Sequence, residues 1–389
     1  MIGVIADDLT GAAETGAVGR RFGLRAEILL GGDPGPNSDL VCIDTDSRSA
    51  EPPEAARRAA AAAAKLRDLG AAWIYKKVDS VLRGNVAAEI AAVLATLDRP
   101  AALLVPANPA LGRTLIGGRY LVDGRPLDET EFAHDPGHPR RTSDALQLLD
   151  PVPGLAIHGG EVGEPLPRSG LVLGGAASVE DLRHWATRRP DSWLMAGASG
   201  FFEALLATSQ PVAVADEPDV GEPPAGGELF VCGSASEATA RFVEEQRAAG
   251  VPVHSLPEKL AEGHRLDPAE VDALAFRVAR SLAKCGRAVL AVGLPRVADA
   301  GIAAGLPGQL ARVAGAVLAR CPVGSVFAEG GATAIALAAD RGWKQLEVVA
   351  EPAPGVARLR VDGERPILLT LKPGSYRWPE SVVRRNAER

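Results

Sequence analysis

Up to Val105 the chain alternates short apolar runs with helix-like stretches, and each apolar run stops at a polar cluster. Met1 to Ala6 stops at Asp7-Asp8, Ala26 to Leu30 at Gly31-Gly32-Asp33-Pro34, and Leu40 to Asp44 at Thr45-Asp46-Ser47-Arg48-Ser49. Ala72 to Tyr75 runs into Lys76-Lys77-Val78-Asp79-Ser80-Val81-Leu82-Arg83-Gly84-Asn85, and Ala101 to Val105 into Pro106-Ala107-Asn108-Pro109. Thr10 to Arg21, Glu51 to Leu69 and Val86 to Leu97 read as helices, the second with prolines in its first turn, where a missing N–H costs nothing. Strand–helix alternation implies a parallel sheet, whose strands bring their carboxyl ends to one edge. The polar clusters should therefore converge in space. Alone, Asp7-Asp8 reads as a helix cap beside a solvated neighbour; with its neighbours it reads as one wall of a site.

The pattern breaks from Gly112 to Arg141, where Gly117 to Leu127 resembles a β-hairpin turning at Asp123-Gly124 and Thr130 to Arg141 reads as an ordered loop or lid. Alternation resumes from Ser143 to about Ala215. A Pro-, Gly- and acid-rich stretch from Asp216 to Glu228 reads as a linker. Two domains are expected, 1–220 and 228–389, each an α/β unit with a mostly parallel sheet flanked by helices. In the second, strands at Leu229 to Cys232, Val251 to Leu256, Ala288 to Val292, Ser325 to Ala328 and Ile367 to Leu371 are expected.

Composition narrows the function. The 389 residues carry a net charge of -7, which argues against broad nucleic-acid binding. Cys42, Cys232, Cys285 and Cys321 are scattered without a C-x-x-C pair, so they are expected to be buried thiols in a reducing, cytoplasmic setting rather than a zinc site. No signal peptide and no apolar run long enough for a bilayer are expected. His134 and His138 are separated by Pro136, which forbids the helix that would turn them into a metal pair, so no metal-ligating residues are assigned.

Two sets of residues carry chemistry. In the first domain Asp7, Asp8, Arg48, Lys77, Asp79, Ser80 and Arg83 suit a small polar anion: guanidinium groups grip a carboxylate, carboxylates accept from hydroxyls, and one aspartate can take a proton. In the second, Gly233-Ser234-Ala235-Ser236, Gly330-Gly331-Ala332-Thr333 and Lys372-Pro373-Gly374-Ser375 are glycine turns at strand ends. Backbone N–H groups and helix N-termini there form a phosphate cradle, although neither the P-loop nor the dinucleotide fingerprint is present.

These motifs, together with Pro106 to Thr114 and Glu129 to Pro136, resemble in order the four-carbon acid sugar kinase family over nearly the whole chain. The resemblance implies an acid-sugar-binding N-terminal domain, an ATP-binding C-terminal domain, and an active site in the cleft between them. It implies an ATP-dependent kinase acting on threonate, erythronate or 3-oxo-tetronate, with Mg²⁺ expected from the chemistry. Asp8 and Asp79 become the catalytic candidates, and Asp8, Arg48, Lys77, Asp79, Ser80 and Arg83 the substrate contacts. Ser234, Ser236, Gly330, Gly331, Ala332, Thr333 and Gly374 become the ATP contacts. The partners are a small sugar acid and ATP, with a homodimer allowed for and neither nucleic acid nor membrane expected. The chain departs from the family at Val81, often Thr, and at Ala332, usually acidic; Glu329 is the neighbouring carboxylate that could compensate. Ala332 keeps a second reading open, a non-catalytic sensor of sugar acid and nucleotide. A nicotinamide-dependent oxidoreductase is weakened by the missing fingerprint.

Overall fold

A computed structural model describes residues 1–135, 137–209, 224–294, 297, 299–374 and 376–383. The described residues divide into two compact units, one drawn from 1–30 and 34–215, the other from 31–33 and 216–389. The expected linker at 216–228 lies largely outside the described residues.

The first unit is built from β1 (Ile2–Ala6), α1 (Leu9–Arg21), β2 (Ala26–Leu29), β3 (Leu40–Asp44), α2 (Pro52–Asp68), β4 (Trp73–Lys77), α3 (Val86–Leu97) and β5 (Ala101–Val105). A small three-stranded sheet comes next, β6 (Arg113–Ile116), β7 (Arg119–Val122) and β8 (Arg125–Pro126). Then come β9 (Ile157–Gly160), β10 (Gly170–Gly174), α4 (Val179–Arg188), β11 (Leu194–Gly197) and α5 (Ser199–Ser209). The main strands run in the order β2-β3-β1-β4-β11-β5-β10-β9, and every neighbouring pair is parallel. Helix α1 packs with α5, and α2 with α3. In α2 the stripe Ala55, Ala59, Ala62, Ala63 and Leu66 is buried, the spacing of one helical face. The expected hairpin is present at Asp123-Gly124, both left-handed as a tight two-residue turn requires, and β6 extends it by a strand that the sequence pattern did not single out.

The second unit contains β12 (Gly227–Cys232), α6 (Glu237–Ala248), β13 (Val253–Ser255), α7 (Pro268–Cys285), β14 (Arg287–Ala291), α8 (Ala300–Arg320), β15 (Val323–Glu329) and α9 (Gly331–Arg341). It closes with β16 (Gln345–Ala353), β17 (Val356–Val361), β18 (Ile367–Lys372) and the short α10 (Glu380–Val383). The strand order is β13-β14-β12-β15-β18-β17-β16, parallel as far as β18 and antiparallel beyond it.

Two expectations need correction. By length and composition α8 is apolar enough over Gly301–Arg320 to cross a membrane, contrary to the expectation that no run would be. It packs against α7 and α9, and its Arg312 donates to the Leu266 carbonyl at 2.9 Å. The cysteines are not uniformly buried: Cys42 and Cys232 are, whereas Cys285 is exposed at the end of α7.

Candidate functional site

The carboxyl ends of β1, β3 and β4 are neighbours in the first sheet, and the loops leaving these strands meet there. Asp8 caps α1, accepting from the Gly11 N–H at 2.8 Å and from the Thr10 hydroxyl. The loop after β3 returns Arg48 to the two aspartates. Its Nε and Nη2 donate to Asp7 at 2.7 and 3.0 Å, and its Nη1 to Asp8 at 2.6 Å. Asp7 is thus the bidentate holder of Arg48, a role that the sequence pattern left open.

After β4, Asp79 accepts from Arg83 Nε and Nη2 at 3.0 and 2.8 Å and from the Val81 and Arg83 N–H groups. Its Oδ1 is 3.9 Å from Arg48 Nη1. Leu82 sits in the left-handed region (φ 60°), and Gly84 has φ 85°. A Cβ on Gly84 would lie 3.2 Å from the Arg48 carbonyl oxygen, so glycine lets the two loops touch. Ser80 is half-buried, and its carbonyl accepts from the Tyr120 hydroxyl. Arg83 Nη1 reaches Asp135 at 2.9 Å, and Arg140 donates to the Leu82 carbonyl at 2.9 Å. Asp135 and Arg140 lie in the expected lid, of which Pro136 is outside the described residues.

The electrostatics come from burial and pairing. Burial would raise Asp7 and Asp79, but Arg48 and Lys76 beside Asp7, and Arg83 and Arg48 beside Asp79, overcome it. Asp7 is left below the usual carboxylate range and Asp79 well below. Burial would lower Arg48, yet Asp7, Asp8 and Asp79 hold its pKa well above the ordinary value. Both oxygens of Asp79 are engaged by Arg83 and by the Val81 and Arg83 N–H groups, so in this arrangement it holds Arg83.

Consecutive residues of a strand point to opposite faces, and the lysine pair at the end of β4 shows it. Lys77 Nζ lies 3.2 Å from Glu14 of α1, whereas Lys76 Nζ lies 2.7 Å from Glu89 of α3. Lys76 and Glu89 are sealed, with side-chain exposures of 0% and 1%. The sequence pattern singled out neither Lys76, Glu89, Glu14 nor Asp135. Strand alternation was the available signal for Lys76, because two lysines in a row at a buried strand end need partners on both faces. The cations expected to hold a substrate carboxylate, Arg48, Lys77 and Arg83, are each already paired with protein carboxylates. An anionic ligand would share or displace those partners.

In the second unit β12, β15 and β18 are adjacent and parallel, so their glycine turns share an edge. Ser236 caps α6, accepting from the Thr239 N–H at 3.2 Å, and donates to the Gly374 carbonyl at 2.8 Å. The Ser234 hydroxyl accepts from the Ser236 N–H and would lie 2.6 Å from a Cβ on Gly374. A Cβ on Gly233 would fall 1.8 Å from the Thr333 hydroxyl, so only glycine lets these two loops meet. Gly330 (φ 86°) opens α9, whose N-terminus has no side-chain cap, and nothing lies within 4 Å of where its Cβ would be. An uncapped helix N-terminus with open space before it suits a phosphate. Ala332 is exposed on the first turn of that helix. Ser375 lies outside the described residues.

Glu329 cannot take the place of the acid absent at 332. It is fully buried, with Oε1 2.9 Å from Lys372 Nζ and Oε2 accepting from Thr239 at 2.7 Å, and Lys372 lies 5.1 Å from the Trp378 ring centre. Among the described residues no group of three or more His, Cys, Asp or Glu could hold a metal ion.

Comparison with known proteins matches residues 2–205 to a sugar-binding N-terminal domain and residues 229–376 to a nucleotide-binding C-terminal domain. The chain is 33% identical to the D-threonate kinase of Salmonella typhimurium over 64% of its own length and 61% of that protein's. It is 30% identical to the 3-oxo-tetronate kinase of Methylobacterium radiotolerans over 96% of both. A solved structure from Salmonella typhimurium LT2 shares the fold, with TM-score 0.80 and 21% identity over 100% of this chain and 99% of that one.

Proposed function

The chain belongs to the four-carbon acid sugar kinase family, and from that premise we propose that it transfers the γ-phosphoryl group of ATP to a hydroxyl of threonate, erythronate or 3-oxo-tetronate. The observation that carries the reading is the first unit's edge, where Arg48 and Arg83 alternate with Asp7, Asp8 and Asp79 within hydrogen-bond reach. Such an edge recognises a molecule that is both a carboxylate and a polyol. The guanidinium groups take the carboxylate, and the aspartates accept from hydroxyls.

We assign Asp8 as the acceptor for the attacking hydroxyl's proton, since both oxygens of Asp79 are taken up by Arg83 and the main-chain N–H groups of its own turn. Asp79 instead fixes Arg83 and, more distantly, Arg48. Ser80 and Lys77 complete the wall. In the second unit the three glycine turns receive the triphosphate through backbone N–H groups, with Ser234, Ser236 and Thr333 adding hydroxyls. Phosphoryl transfer depends on positioning and charge neutralisation, which such residues supply without covalent chemistry. The residues on the nucleotide-side edge do not fit a protein-held Mg²⁺, because Glu329 is sealed and position 332 is alanine, so no step is routed through the ion.

The test is ADP release with a panel of D- and L-tetronates and 3-oxo-tetronate. Turnover is expected with at least one of them. Absence of turnover with all of them, in protein that still binds ATP, overturns the proposal. The sealed Glu329 and the exposed Ala332 favour one second reading, a sensor derived from such a kinase. A large gain of activity in Ala332→Asp would support it.

A further inference from the structure

The Lys76–Glu89 pair lies behind the acid-sugar edge, and Lys76 Nζ also donates to the Lys77 main-chain carbonyl at 2.8 Å. Burying two charges is costly, and an apolar pair of similar volume would hold α3 to the sheet at least as well. What an apolar pair could not do is accept a hydrogen bond from the loop in front. Glu89 Oε1 accepts from the Ser47 hydroxyl at 2.8 Å, and Ser47 Oγ lies 2.7 Å from Thr45 Oγ1. Ser47 donates its one hydroxyl hydrogen to Glu89, and the Thr45 hydroxyl donates to the Ala6 carbonyl at 2.8 Å. The Thr45 N–H donates to the same Ala6 carbonyl at 2.9 Å.

A carboxylate is required for this direction. It accepts from Ser47 on one oxygen and from the Lys76 ammonium on the other. A glutamine would turn an N–H₂ toward one of them. The loop is also held from its other side, because the Ser47 and Arg48 N–H groups both donate to the Asp7 carbonyl. Asn85, at the start of α3, donates to the Ser47 and Ala50 carbonyls at 3.2 and 2.8 Å. Ser47 adjoins Arg48, whose Nε, Nη1 and Nη2 are all engaged with Asp7 and Asp8. A shift of the main chain at 47 must therefore disturb that array.

We propose that Glu89 is a positioning residue for the sugar-acid site, acting through Ser47 on Arg48; the inference rests on the kinase reading above. Its alternative is a core residue whose loss lowers the folded fraction and leaves the site of folded molecules unchanged. Steady-state kinetics of wild type, Glu89→Gln, Ser47→Ala and the double variant Lys76→Met/Glu89→Gln separate the two, with each substrate varied at saturating concentration of the other.

The expected result is a rise of about tenfold or more in KM for the sugar acid in all three variants, with KM for ATP within about twofold of wild type. The double variant, which lacks the stranded charge, should melt closer to wild type than Glu89→Gln while keeping the raised sugar-acid KM. If Glu89→Gln does not fold, Ser47→Ala and the double variant carry the test. A wild-type sugar-acid KM in those two variants overturns the inference, as does a parallel change in both KM values. A wild type that turns over none of the acids overturns the kinase reading and this inference with it, whereas active wild type with unshifted variants overturns the inference alone.

Discussion

Asp44 behaves unlike the other carboxylates at the first unit's edge. Its Oδ1 accepts from the Asp46 N–H at 2.8 Å, but its Oδ2 is sealed without a hydrogen-bond partner. Burial pushes its pKa well up, and the charges of Asp8, Asp46 and Asp7 add to that. Its folded pKa lies above the unfolded value near 3.8. Asp44 therefore supports the fold while protonated, and that support is lost as pH rises from the unfolded pKa through the folded one. Asp44→Asn should melt higher than wild type at pH 7, with the difference closing toward pH 3. Asp79 has the opposite sign: its pairing stabilises above the unfolded value and is lost as pH falls through its lowered pKa. Asp79→Asn should accordingly be most damaging near neutrality, and thermal melts across pH measure both. At this scale the Asp7-Asp8 doublet, Arg48 and the Asp79-to-Arg83 run were legible, because charged residues stand out at the end of apolar runs. Which carboxylate holds which arginine was not, since that depends on how the loops fold back.

Among the elements, the turn after β4 is the most constrained. Leu82 is left-handed and buried, Asp79 ties both ends of the turn, and Gly84 lies against the Arg48 main chain. Gly84→Ala adds a Cβ at positive φ and at 3.1–3.3 Å from Arg48 atoms. We expect a loss of about 1–3 kcal/mol in stability, seen in denaturant titration, and a fall of at least about tenfold in kcat/KM for the sugar acid. Most parallel strands of both units were legible from apolar runs of the right length, but β9 and β11 were not singled out, and β9 (Ile157–Gly160) is half glycine with a histidine rather than an apolar run. The antiparallel β16 and β17 were not, because their pairing is interrupted by register shifts and Pro352 lies within β16, which blurs the alternation. Helix α8 was hidden for a related reason: Pro307, between Gly305 and Gly308, argues locally against the helix that its packing against α7 and α9 sustains.

Over the whole molecule, each unit places a sealed Lys–Glu–hydroxyl group behind its ligand loops: Lys76, Glu89 and Ser47 in one, Lys372, Glu329 and Thr239 in the other. Each unit should answer its own ligand. A ligand at a hundredfold excess over its Kd stabilises the state it binds by about 2.7 kcal/mol, so ATP and a sugar-acid substrate should each raise Tm. Gly233→Ala, which drives a methyl into Thr333, should abolish the ATP-induced shift and retain the shift from the sugar acid. Arg48→Ala should do the reverse. Differential scanning fluorimetry with each ligand alone reads both outcomes. The resemblance of the motifs to the kinase family implied this division of labour. The buried pairs were not legible, because a lysine or glutamate inside an otherwise apolar element looks in sequence like any solvated charge.

The lysine pair at the end of β4 also acts on the strand's register as it folds. A strand that slips by one residue turns every side chain to the opposite face. Slipped one way, β4 would set Val78 where Lys77 faces Glu14; slipped the other way, it would set Tyr75 where Lys76 faces Glu89. Either error strands one glutamate without its cation, at a cost of about 3–5 kcal/mol where the partner is buried. Two like charges in succession thus work as a parity check on the central sheet, rejecting misalignment of either sign before any ligand is bound.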